Sequence, residues 1–358
     1  MVYYAIALTL YRDVSCREVL RCLLEGVKWL LLTRRPADAA AVRTAGKSGI
    51  SQARTRLGWE AMKRLHDEVV APVASAASKG ASYRRWRPVS MDGSTLDVAD
   101  SPGNVAAFGR PKASRGASAF PQVRLVSLVE NGTRVLFGTQ LGNCRDSEIA
   151  LARDVLPALK PGMLCLADRL FFSHPLWSRA LATRSDLLWR VKRNLKLPRE
   201  QQFPDGSFLT TIFPSDKDRR HATNAIRVRA IEYRLEGVAD AEPLYRLITS
   251  ILDPERAPAQ ELAALYHERW EIETALDELK THLRGPGIVL RSKTPDLVRQ
   301  EFWGMMLAHF AIRNLMHEAA LQAAEDPDRL SFLHAVRVVR RKLAEFGAFP
   351  PSEEESAS

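Results

Sequence analysis

Hydrophobic positions along this chain change their period by region, and each change marks a change of element. Up to about residue 80 apolar residues recur at helical spacing. One helix is predicted over 16–32, with Ser15 as its cap and Glu18 three residues on. A second follows from Ser51, where Ser51-Gln52-Ala53-Arg54-Thr55-Arg56 forms a basic turn before Gly58, and a third runs over 59–70, stopped by Pro72. From Arg87 the pattern becomes strand-like. Segments 87–92, 122–129 and 134–141 read as strands, the last two joined by Glu130-Asn131-Gly132 as a tight hairpin. A helix over 146–159 ends at Lys160-Pro161-Gly162. Segment 163–168 is apolar up to its final aspartate, as a central parallel strand requires. A helix over 173–183 and a strand over 187–192 follow. Short strands then recur at 208–213, 225–235 and 245–252. Helical spacing returns over 258–283, 296–320 and 330–346, and the acidic tail 350–358 is expected to be disordered. The order of elements describes an α/β protein with a helical amino-terminal region.

Composition narrows the class. At 358 residues, with 46% hydrophobic and 26% charged side chains, the chain can bury a sizeable core. A net charge of +10 surrounds it with a field that favours a polyanion, although basic proteins without such a partner are common. Cys16, Cys22, Cys144 and Cys165 form no metal-binding spacing and read as reduced core thiols of a cytosolic protein. The apolar stretch at residues 3–11 is short, lacks a basic start and is followed by Arg12, so neither a signal peptide nor a membrane span is expected. The chain opens inside apolar sequence without a cap, which suggests a longer amino-terminal segment.

The helix predicted over 258–283 carries the chemistry. At about 100° per residue, Tyr266, Arg269, Glu273 and Lys280 project within roughly 60° of one another. Leu265, Ile272, Leu276, Leu279 and Leu283 form an apolar stripe about 70° away. One stripe can pack on a core while its flank offers a carboxylate, two cations and a phenol to a cleft. A metal-binding carboxylate bracketed by phosphate-binding cations suits phosphoryl transfer on nucleic acid. A solvated helix face with ordinary ion pairs would use the same residue types.

The run Tyr266-x2-Arg269-x3-Glu273-x6-Lys280 resembles the Y-R-E-K signature of the insertion-sequence-four family of DDE transposases. Two further motifs of that family have counterparts here, in the same order. Met91-Asp92-Gly93-Ser94-Thr95 resembles its D-G-T-like motif, with Ser94 where threonine is usual, and Ala167-Asp168-Arg169-Leu170-Phe171 resembles its A-D-R-x-F-like motif. The resemblance runs from about residue 15 to about 320. It implies a ribonuclease-H-like catalytic core with a β-rich insertion before the catalytic helix and a helical amino-terminal domain. The division implied is 1–80 for a helical domain suited to DNA contact, 81–193 for the first part of the core, 194–254 for the insertion, 255–348 for the catalytic and carboxy-terminal helices, and 349–358 for the tail.

By that resemblance Asp92, Asp168 and Glu273 are catalytic and hold two Mg2+ ions, with Mn2+ as substitute. As hard oxygen donors they suit such ions, and their mutual repulsion should raise at least one carboxylate's pKa. Tyr266, Arg269 and Lys280 are expected on DNA phosphates near the cut, and Arg110 and Lys112, in a basic loop before the second strand, are candidates to track the backbone. A second basic run is Arg190-x-Lys192-Arg193. The family's base-flipping aromatic lies in the insertion, which here has no tryptophan, so Tyr233 or Phe213 would substitute. Trp177, Trp189 and Trp270 read as core. The implied activity is cleavage of transposon ends and joining of the 3′-hydroxyl to target DNA, by a bacterial cytoplasmic, nucleoid-associated protein acting as a homodimer on terminal inverted repeats. A hydrolysis-only metal nuclease of the same fold and an inactive truncated transposase acting as a repressor are the alternatives.

Overall fold

The computed structural model describes residues 1–11, 14–24, 45–113, 116–234, 242–283 and 289–345. The continuation of the predicted 16–32 helix beyond residue 24 and the acidic tail lie outside the described residues. The helices are α1 (Val2–Leu10), α2 (Lys47–Leu57), α3 (Glu60–Val69), α4 (Pro102–Phe108), α5 (Glu148–Val155), α6 (His174–Ala182), α7 (Asp216–His221), α8 (Ala259–His267), α9 (Trp270–Asp277), α10 (Pro295–Ala323) and α11 (Phe332–Glu345). Residues 16–24 are helical, and the Ser15 hydroxyl before them accepts the Glu18 amide at 3.2 Å. The strands are β1 (Arg87–Asp97), β2 (Lys112–Ala113), β3 (Gly116–Ala117), β4 (Gln122–Glu130), β5 (Val135–Asn143), β6 (Met163–Ala167), β7 (Asp186–Arg190), β8 (Gln201–Gln202), β9 (Phe208–Ile212), β10 (Ile226–Tyr233) and β11 (Tyr245–Thr249).

One sheet organises the molecule, in the order β5-β4-β1-β6-β7-β11-β10-β9-β8. β4 runs antiparallel to β1 and β5, whereas β6 and β7 run parallel to β1. This is the connectivity of a ribonuclease-H-like core. Its centre is buried on both faces. In β6, Met163, Cys165 and Ala167 join one hydrophobic cluster while Leu164 and Leu166 join another. That explains a continuous apolar run in place of alternation.

One feature differs from the expectation for the strands. β1 does not stop at Asp92. It continues to Asp97 against β4, so Asp92 sits within the strand, where only the parallel partner β6 has ended. Leu96, 1% exposed, supplies the apolar contact that extends it. The strands of the 194–254 region also add to the main sheet. β11 pairs antiparallel with β7 through Leu247↔Arg190 and Thr249↔Leu188, and β10, β9 and β8 follow. Unpaired edge groups of β7 make that addition favourable.

α10 crosses the core, with Phe302, Trp303, Met305 and Met306 buried. α1 lies directly on it through Ala5, while Tyr4 and Leu8 pack with Val19 and Ile50. The approach is so close that a Cβ on Gly304 would stand 2.5 Å from the Ala5 carbonyl oxygen. α2 is tied to the same helix by Arg54. Its guanidinium donates to Gln300 Oε1 at 2.8 Å and to Ser292 Oγ at 3.2 Å, and the side chain is buried. The basic turn is helical as expected, and Arg54 faces inward to the protein. Replacing Gly304 with alanine should force α1 off α10 and cost about 1–3 kcal/mol. An unchanged urea midpoint for Gly304→Ala would refute that contact.

Candidate active site

Strand register brings the two aspartates together. The parallel β1–β6 ladder ends at Met91↔Ala167, so Asp92 and Asp168 are the next positions on neighbouring strands, about 5 Å apart between backbones. Asp92 Oδ1 accepts the Gly93 amide at 2.7 Å. Burial pushes the Asp92 carboxyl above the usual carboxylate range. The Gly93 amide and Arg269 oppose that shift, and the nearby charges of Glu273 and Asp168 add to it. One carboxylate is thus raised as expected, but chiefly by burial, with repulsion the smaller contribution.

The segment after Pro258 is not one regular helix. Between α8 and α9 the chain tightens into successive i→i−3 bonds, including Arg269 N to Tyr266 O at 3.2 Å and Ile272 N to Arg269 O at 3.2 Å. After α9 it loosens into a π-helical turn, Glu278–Leu283. Tightening over-rotates the chain and loosening under-rotates it, so a constant 100° step does not describe this helix. The apolar stripe nevertheless holds: Leu265, Ile272, Leu276, Leu279 and Leu283 are all buried.

The signature side chains are distributed accordingly. Arg269 donates to Asp92 Oδ2 at 3.1 Å and to Glu273 Oε1 at 3.2 Å, bridging two of the three carboxylates. Lys280 Nζ donates to Ser94 Oγ at 2.7 Å, on the same strand as Asp92. Tyr266 is only 7% exposed, and its hydroxyl donates to the Ala167 carbonyl at 3.3 Å, beside Asp168. The phenol expected in the cleft is turned inward: at helical spacing from Leu262 within α8, it joins the Leu262–Leu265 cluster.

Exposure corrects one further expectation. Trp270 is 58% exposed, with the Arg269 guanidinium 5.7 Å from its ring, whereas Trp177 and Trp189 are core. Arg110 is occupied within its own loop: it donates to Asp100 Oδ1 at 2.5 Å and to the Ser118 carbonyl at 3.0 Å. Lys112 starts β2, and its side chain lies outside the description. Tyr233 stacks on Tyr245 at 5.3 Å, and Phe213 lies under Arg219 at 5.1 Å. A cavity of about 940 Å3 opens at the opposite strand ends beside Arg87 and Met163 and touches none of the three carboxylates.

Sequence reasoning missed the support behind the site. Glu278, 4% exposed, accepts from Arg313 through Nε at 2.9 Å and also through Nη2, and faces the buried His309 at 3.4 Å. Arg134 links this group to Glu271 and to Asp328, the latter at 3.4 Å. Glu278 lies on the face of the helix opposite Glu273. Its signal in the sequence was a carboxylate set among the apolar positions Leu276, Leu279 and Leu283.

Divalent ions would require Asp92, Asp168 and Glu273 to converge. Their hard oxygen chemistry fits such ions. Among the described residues no group of three His, Cys, Asp or Glu is arranged to hold a metal, and Arg269 bridges Asp92 to Glu273.

With this geometry in place, the class of protein is a ribonuclease-H-like α/β fold that delivers two aspartates from adjacent central strands. Residues 87–311 match the transposase DDE domain family, and residues 1–67 match the insertion element 4 transposase N-terminal family. The chain belongs to the DDE transposase family, in its insertion-sequence-four (IS4) branch. It is 28% identical over 310 residues to the transposase InsG for insertion sequence element IS4 of Escherichia coli, covering 83% of this chain and 67% of that protein. It is 25% identical over 138 residues to the putative transposase InsZ of the same organism, covering 38% and 46%. Among solved structures, a piggyBac transposase synaptic complex with hairpin DNA aligns over 75% of this chain and 55% of that chain, at 13% identity and a TM-score of 0.46. No described helix is long and apolar enough to cross a membrane.

Two predictions follow from the buried network. Glu278→Ala strands the Arg313 charge and should cost about 3–5 kcal/mol, read from urea denaturation; an undiminished midpoint would remove Glu278 from the support. Burial raises the Asp328 carboxyl to about 7, with Arg134 opposing and Glu271 adding to the shift. A folded-state pKa above the unfolded value means the folded protein holds the extra proton. This group's contribution is full below about pH 4 and fades as pH rises through about 7. The Tm of Asp328→Asn should therefore fall less than that of wild type between pH 5 and 8, to be checked by melts in about half-unit pH steps. Parallel curves would contradict the assignment.

Proposed function

We propose that this protein is a metal-dependent DNA transposase that cleaves insertion-sequence ends and joins the freed 3′-hydroxyl to target DNA. The observation that supports this best is the adjacency of Asp92 and Asp168, with Glu273 linked to Asp92 through Arg269, in a chain of the DDE family. In this reading Asp92, Asp168 and Glu273 would hold Mg2+ or Mn2+. Bound there, two such ions activate the attacking oxygen and stabilise the leaving oxygen of an in-line displacement.

The chain's own residues supply the rest. Arg269 provides the positive charge that the gathered carboxylates demand, and its guanidinium can fork onto a phosphate. Lys280, anchored at Ser94, places a second cation beside Asp92. Tyr266 orients the end of β6 that presents Asp168. The net charge of +10 favours DNA as the partner. The relative InsG is named as the transposase for an insertion sequence element, which favours joining over hydrolysis alone. Pairing of two ends by a homodimer belongs to the same reading.

Asp168→Asn and Glu273→Gln should each reduce Mg2+-dependent nicking of the element's own ends to background, while duplex binding stays within about twofold of wild type. Nicking by Asp168→Asn at a near-normal rate would exclude that residue from the site. A joining assay with pre-cleaved ends separates transposase from nuclease, since a purely hydrolytic enzyme yields no joined product.

A further inference from the structure

We propose that Glu242 is an internal stand-in for a DNA phosphate, occupying Arg169 and Arg190 beside Asp168 until a bound strand displaces it. The proposal rests on the DNA-acting reading above and adds a regulatory contact to it. The parallel β6–β7 ladder ends at Ala167↔Trp189, which sets Arg190 next to Asp168 on the neighbouring strand. Arg169 follows Asp168 directly. The two arginines therefore flank the position where β6 delivers its carboxylate.

Glu242 approaches both of them. Arg169 Nη1 donates to Glu242 Oε1 at 2.8 Å, and Arg190 Nη2 stands 2.8 Å from Oε2. The two carboxylate oxygens are thus divided between two cations, as the two non-bridging oxygens of a phosphodiester would be. The fit to Arg190 is incomplete. Its Nη2 is buried and, despite the short approach, makes no aligned hydrogen bond. Attraction of charge rather than a matched fork holds this contact.

The arginine does not depend on the carboxylate for its position. Its guanidinium lies 4.6 Å from the centre of the Tyr245 ring, which stacks on Tyr233. Glu242 is more exposed than the arginine it covers, with a side chain 38% exposed against 16%. An incoming strand can therefore exchange with it from solvent. One carboxylate on two cations leaves a net positive charge, so the contact weakens DNA binding without abolishing it.

The test uses the full chain and a fluorescein-labelled duplex of about 30 base pairs, of arbitrary sequence, with anisotropy read in EDTA at low salt. Glu242→Gln should bind about three- to tenfold more tightly than wild type. The gain should vanish when Glu242→Gln is combined with Arg169→Gln and Arg190→Gln. Glu232→Gln, which removes the same charge from a carboxylate paired with Arg199 and Arg246, should give no gain. Equal binding by Glu242→Gln and wild type overturns the proposal, and so does an equal gain from Glu232→Gln. A Glu242→Gln protein with wild-type Tm but weaker binding overturns it as well. Failure of wild type itself to bind any duplex would overturn the DNA-acting reading, a different result from binding that ignores position 242.

Discussion

Negative charge gathered in one place is the constraint around which this molecule is arranged. Asp92 and Asp168 are forced together by strand register, and α9 adds Glu273 from above. Without a counter-charge this arrangement would repel itself. Arg269 answers that demand by bridging Asp92 and Glu273, and burial leaves Asp92 with a raised pKa. The tightened turn between α8 and α9 is what sets Arg269 over β1, so local backbone geometry and site electrostatics are one problem.

A second layer of charge keeps α9 and the π turn in place. Glu278 is gripped from α10 by Arg313, and Arg134 at the β4–β5 turn ties Glu271 and Asp328 to the same group. Arg134 adopts a left-handed backbone conformation, φ 55°, to make that turn. Because Glu273 and Glu278 leave the helix on opposite faces, this network can stabilise the helix without occupying the cleft.

Much of the core was legible because period and burial agree there. Segment 163–168 reads as a central strand since both faces of β6 are covered, and the Leu265–Leu283 stripe reads as buried since packing tolerates modest changes in helical twist. Side chains facing the cleft were harder to place. Tyr266 turned inward onto the Leu262–Leu265 cluster and Trp270 outward, because the surfaces that cover or leave bare this helix are brought to it from far away in sequence. The end of β1 was misplaced for a related reason: its pairing with β4 outlasts its pairing with β6. The partners of Arg54 and Arg110, Gln300 and Asp100, are likewise fixed only by the tertiary fold.

The seat of α1 on α10 has a consequence for how the protein is made. The Gly304 surface that receives Ala5 emerges from the ribosome about 300 residues later, roughly 15–60 s at ~5–20 residues per second. During that interval Tyr4 and Leu8 can pack with Val19 and Ile50, but Ala5 has no seat, and nascent chains are open to aggregation or chaperone capture. Synthesis of the last third of the protein is thus what completes the packing of its first helix, and a ribosome stalled before α10 leaves that helix without its seat.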